Sequence, residues 1–162
     1  MDFQDRLKRA IERGEKTRDA QGRQAREAEL TLEELKSLHS GFRIDLTDHI
    51  DQCLHGLVDQ LPGFRFQSLV GEDGWGGRVT RDDLQLQPGR SAESLYSRLE
   101  LLVTPFSSNA SILELTVKGT VRNREVLNRK HYQKLDDFDL DSFKELVDLR
   151  VLEFAEKYSA TT

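Results

Sequence analysis

Between Leu35 and Leu61 the large apolar residues fall three or four apart: Leu35, Leu38, Phe42, Leu46, Ile50, Leu54, Leu57 and Leu61. That spacing draws one buried stripe along an α-helix. Thr31 and Glu34 match a capping box, with Leu30 and Leu35 at the flanking staple positions, so a helix is expected over 31–61. Pro62-Gly63 ends it. At 1.5 Å per residue such a helix is on the order of 44 Å long, more than a small sheet covers. From Phe64 the period changes to two. Phe64, Phe66 and Val70 alternate with Arg65 and Gln67, and Gly71–Gly77 reads as a turn. A weaker strand follows over 78–87, where Asp82-Asp83 interrupts Val79, Leu84 and Leu86 and a bulge is expected. Leu95, Leu99, Leu101 and Val103 then oppose Tyr96, Arg98, Glu100 and Thr104, and Leu113, Leu115, Val117 and Val121 oppose Glu114, Thr116, Lys118 and Thr120. Alternation of this one-sided kind belongs to an antiparallel sheet with one solvated face. Gly119 marks a bend, and 124–134 alternates poorly, as an edge strand does. Phe143, Leu146, Val147, Val151, Phe154 and Tyr158 return to helical spacing over 139–159, with Asp139 or Asp141 as cap.

The expected fold class is therefore α+β. It has a long N-terminal helical region, a four- to five-stranded antiparallel meander sheet over 64–134 and a C-terminal helix. The helices pack on one sheet face. Residues 30–162 form this single domain, and residues 1–29 stand apart as a polar helical arm. Only Phe3, Leu7 and Ile11 give the arm an apolar stripe. Acid-before-base pairs such as Asp5–Arg9 and Glu12–Lys16 each add about 0.2–0.5 kcal/mol to a helix. Gly14 and Gly22 each cost about 1 kcal/mol there. The two effects nearly cancel, so the arm is helical when docked and frays otherwise.

Composition changes this picture little. At 36% hydrophobic and 33% charged residues, a core forms because the apolar positions are concentrated in periodic segments. Asp2, Asp5, Arg6, Lys8 and Arg9 leave no apolar signal core at the N-terminus, and no window has the roughly 18 apolar residues of a membrane span. A single cysteine, Cys53, excludes an internal disulfide and suits a reducing cytoplasm. Charge adds more. Residues 30–61 hold 6 acids and 2 bases, and 135–162 hold 8 and 3, whereas the β segment 62–134 holds 11 bases and 8 acids. The net charge of −5 conceals that division.

Four constellations are candidates for chemistry. Asp48, Asp51, His55 and Asp59 share one side of the long helix at spacings that suit a divalent ion, or a plain solvated face. His49 and Cys53 are one turn apart at the apolar boundary, as a catalytic pair or as a buried thiol beside a boundary histidine. Gly74, Trp75, Gly76 and Gly77 form a ligand-contacting loop or a hairpin whose tryptophan covers a core edge; no P-loop or dinucleotide-binding sequence accompanies them. Arg122, Arg124, Arg129 and Lys130, with His131 and Lys134, make a basic segment just before the acidic run Asp136–Asp141. Such a segment suits a protein interface, phosphate binding, or the charged edge that protects a sheet from aggregation. The outward positions lack the repeated aromatics used for base stacking, which disfavours nucleic acid. No nucleophile elbow or H-E-x-x-H motif is present. No catalytic, cofactor-binding or metal residue is assigned on this basis.

The element order is similar in outline to small α+β proteins such as secretion chaperones. The leading expectation is a cytoplasmic, non-enzymatic protein-interaction module, adaptor- or chaperone-like, that self-associates, most simply as a homodimer. Phe3, Leu7, Ile11, Arg122, Arg124, Arg129 and Lys130 are its expected interface. The alternative is a small-ligand-binding protein, or an enzyme of unassigned reaction, with a pocket between sheet and helices and Trp75 at its mouth.

Overall fold

A computed structural model describes residues 2–28 and 30–161, and side chains except those of 24–28. Met1, Glu29 and Thr162, which the expected arm and domain include, lie outside the described residues. Helix α1 spans Phe3–Ala28 and α2 spans Leu32–Gln60. Thr31 caps α2: its hydroxyl accepts from the Glu34 amide at 3.2 Å. The helix runs through Gly41 unbroken and closes where the Leu61 amide bonds to the Leu57 carbonyl at 2.8 Å. Gly63, at φ +106°, then turns the chain into the sheet. Five strands follow: β1 Arg65–Gly71, β2 Gly74–Gln85, β3 Glu93–Val103, β4 Ile112–Val121 and β5 Arg124–Lys134. They pair in chain order, all antiparallel, so the sheet is a meander with β1 and β5 at its edges. Helix α3, Leu140–Ala160, is capped by Asp139, whose carboxylate accepts from the Ser142 amide.

The apolar stripes of α2 and α3 meet one face of this sheet. Leu46, Ile50 and Leu54 of α2 and Phe143, Val147 and Phe154 of α3 are fully or almost fully buried with Val79, Leu99, Leu101, Leu115 and Val117. On the opposite face a polar row, Gln67, Arg78, Glu100, Lys118 and Asn128, crosses all five strands in register. Arg78 donates to Gln67 at 2.6 Å and lies 3.7 Å from Glu100. The over-long α2 is buried only from its third turn onward. There His39, 2% exposed, bonds through Nε2 to the Thr104 carbonyl at 3.1 Å.

Three local expectations are corrected. The second strand begins at Gly74 rather than 78, and all four glycines read as a turn lie in strands, leaving Glu72-Asp73 as the turn. A Cβ on Gly76 would lie 1.9 Å from the Leu101 carbonyl oxygen, so only glycine lets β2 approach β3 there. Asp82 and Asp83 pair in register with Tyr96 and Leu95. Ser94 donates to Asp82 at 3.0 Å and Arg81 to Asp83 at 2.8 Å, which lets two acids sit in a regular strand. The register shift falls instead between Gly119 and Thr120, opposite β5.

Candidate functional site

Burial of Ile50, Leu54 and Leu57 against the sheet turns the adjacent side of α2, carrying His49 and Cys53, toward α3. Burial of Val147 and Val151 does the same for Asp148 on α3. The three side chains converge. His49 Nε2–H donates to Asp148 Oδ1 at 2.7 Å, and the Cys53 thiol donates to the same oxygen at 3.1 Å. Cys53 Sγ and His49 Nε2 are 3.6 Å apart. Among the described residues this is the one place where three metal-ligating side chains of these types meet. Burial, then the hydrogen bond to Asp148 and its negative charge, push the thiol up to about 12. A nucleophilic cysteine needs the opposite, a thiolate favoured by neighbouring positive charge. Without a cation the triad therefore acts as a hydrogen-bonded clasp between two helices.

The clasp borders an apolar groove of about 370 Å³ on the solvent side of the α2–α3 pair. Leu57, Leu61, Val151, Leu152 and Ala155 line it, and Gly56 keeps its wall low. Leu152 is 64% exposed at the rim, with Leu149 beside it at 59%. The groove lies between two helices; the space between helices and sheet, where the alternative reading puts a pocket, holds the fully buried leucines and valines of the core.

The remaining candidates are dispersed. On α1 every side chain from Asp2 to Asp19 is exposed, including Phe3, Leu7 and Ile11. Gly74, at φ +138°, Gly76 and Gly77 sit in β2, where they admit the neighbouring strand and Leu54. Trp75 is half-buried under the Arg43 guanidinium, 4.1 Å from its ring centroid. Arg122 occupies the β4–β5 turn at φ 48°, with its guanidinium 5.7 Å from the Tyr158 ring. Arg124 begins β5, while Arg129 and Lys130, adjacent in the strand, project to opposite faces. The four bases thus form no single patch. The acidic run after them is tied to β5 by an amide rather than by charge: the Gln133 side chain bonds to the Asp139 amide at 2.8 Å and to the Ser142 hydroxyl at 3.0 Å. On α2, Asp51 and His55 lean toward the sheet. The His55 ring lies tilted at 42° against Phe66, 4.3 Å between centroids, and burial pushes the Asp51 carboxyl above its ordinary range.

Sequence spacing exposes the His49–Cys53 pair but not Asp148. Its only signal is position: it follows the buried Val147 just as Cys53 precedes the buried Leu54. Two boundary positions on separate helices meet only once the helices are placed.

Compared with known protein families, curated sequences and solved structures, the chain finds no match.

Proposed function

We propose that this protein is a non-enzymatic interaction module that self-associates, with α1 of one copy seated in the α2–α3 groove of another. The observation that carries the reading is a pair of unsatisfied surfaces. Helix α1 presents Phe3, Leu7 and Ile11, at 69%, 43% and 53% exposure, on one side of an otherwise polar helix. The groove presents an apolar trough of matching kind, with the exposed Leu152 at its rim. An isolated polar helix with two interior glycines is marginal in water, so burial of its one apolar stripe is what would hold it. Charge favours the pairing. Residues 2–13 carry Arg6, Lys8, Arg9 and Arg13 against three acids, whereas the helices around the groove are acidic. Phe3, Leu7 and Ile11 therefore remain interface residues, while the basic residues of β5 have no part in it.

Light scattering tests this. The full chain should be a dimer at micromolar concentration, and Leu7→Asp with Ile11→Asp should give a monomer that still unfolds cooperatively, its circular dichroism losing no more than the helical signal of α1. A monomeric wild-type chain, or a doubly substituted chain that remains dimeric, rules the reading out.

A further inference from the structure

We propose that His49, Cys53 and Asp148 form a binding site for a divalent transition metal of the zinc class, with its fourth position open on the α2–α3 groove. The donor set is one imidazole, one thiolate and one carboxylate, types that zinc accepts together. Two donors come from one helix, four residues apart, and the third from the helix packed against it, so the fold fixes their relative positions. A tetrahedral ion with bonds of about 2.0–2.3 Å holds its donors about 3.3–3.5 Å apart. The separations here are 3.6 Å for sulfur to nitrogen, 3.1 Å for sulfur to oxygen and 2.7 Å for nitrogen to oxygen. Both contacts to the Asp148 oxygen must open, sulfur to oxygen by about 0.4 Å and nitrogen to oxygen by about 0.6 Å. The protons now directed at Asp148 Oδ1 mark where an ion would replace them.

Charge balances as well. On binding, the thiol loses its proton to solvent and the His49 proton moves from Nε2 to Nδ1 by exchange with water, which leaves Nε2 as the lone-pair donor. Cys53 and Asp148 then contribute two negative charges, which the dication cancels at a half-buried position. Three protein ligands leave one site for water or for an incoming donor. That vacancy faces the groove, so a water fills it under the partner copy's α1 in the proposed dimer and bulk solvent reaches it in the monomeric variant. Asp48 and Asp59 are exposed and bring no donor to this triad.

The test uses untagged full-length protein stripped by a chelator and titrated with Co²⁺, then with Zn²⁺. One equivalent of Co²⁺ should produce a thiolate-to-cobalt charge-transfer band with intense d–d bands, and Zn²⁺ should abolish both. Cys53→Ser should lose the charge-transfer band and bind Zn²⁺ at least roughly 100-fold more weakly, because a hydroxyl replaces the softest ligand. Asp148→Asn should weaken binding while keeping the band. Absence of the band from the wild-type spectrum, which depends on no variant folding, overturns the proposal. So does unchanged Zn²⁺ affinity in Cys53→Ser, which would place the ion on surface carboxylates. The site and the dimer are separable: the Leu7→Asp, Ile11→Asp chain should retain the cobalt spectrum.

Discussion

Replacing Asp148 with asparagine should make Cys53 more reactive, although the substitution adds no base and opens no new path to the thiol. Burial and Asp148 together raise the thiol from an ordinary 9.0 to about 12. At pH 8 that leaves about a thousandfold less thiolate than an unperturbed cysteine has. A thiolate of higher pKa is intrinsically more nucleophilic, which returns a factor of about 20–30. The native thiol should therefore react with an aromatic disulfide roughly 30-fold more slowly than the urea-unfolded chain, with half-burial slowing it further. The substituted amide would keep the shape of the carboxylate but not its charge. Each pH unit by which the thiol pKa then falls raises thiolate tenfold and lowers nucleophilicity about threefold, a net gain of about threefold. The assay is stopped-flow thiol–disulfide exchange at several pH values in excess chelator. Equal rates for wild type and Asp148→Asn, or a native thiol as fast as the unfolded one, would refute the account of how the clasp holds its proton.

Further predictions concern the framework. Leu54→Ala, at a fully buried position under β2, should cost about 2–5 kcal/mol in urea unfolding. Gly76→Ala should lower the melting temperature sharply, since its Cβ would strike the Leu101 carbonyl, whereas Gly71→Ala, with open space around it, should change it little. His39 is held neutral, mainly by burial, with a pKa below the ordinary 6.5. Below pH 6.5 the unfolded chain binds a proton that the folded chain does not, so stability should fall with pH, by at most about 1.4 kcal/mol per unit, until the folded pKa is reached. Denaturant titrations at pH 7.5 and 5.5 should show the loss, reduced in His39→Gln.

Most of the architecture was legible because α2, α3 and the inner strands each bury one face. The leucine stripe of α2, the cap at Thr31 and the alternation in β3 and β4 each report a surface that must leave water. What escaped the pattern was set by neighbours in space. Asp82 and Asp83 look like a break until Arg81 and Ser94 supply their partners. Gly74, Gly76 and Gly77 look like a turn until the β3 backbone and Leu54 crowd them. Leu38 belongs to the helical stripe, yet the fully buried residue in that turn is His39, which the Thr104 carbonyl just past β3 satisfies. The clasp follows the same rule. Half of it, His49 and Cys53, is written in four-residue spacing, and the other half depends on how α3 crosses α2.

Mixed-isotope cross-linking tests the exchange of α1 between copies most directly. Unlabelled and ¹⁵N-labelled chains are mixed, equilibrated and treated with an amine-reactive cross-linker. Lys144 lies one turn before Asp148 on α3, and Lys8 lies beside Leu7 on α1. Exchange predicts peptides joining Lys8 of one isotope to Lys144 of the other, lost in the Leu7→Asp, Ile11→Asp chain. Lys8 cross-links confined to single chains would contradict it.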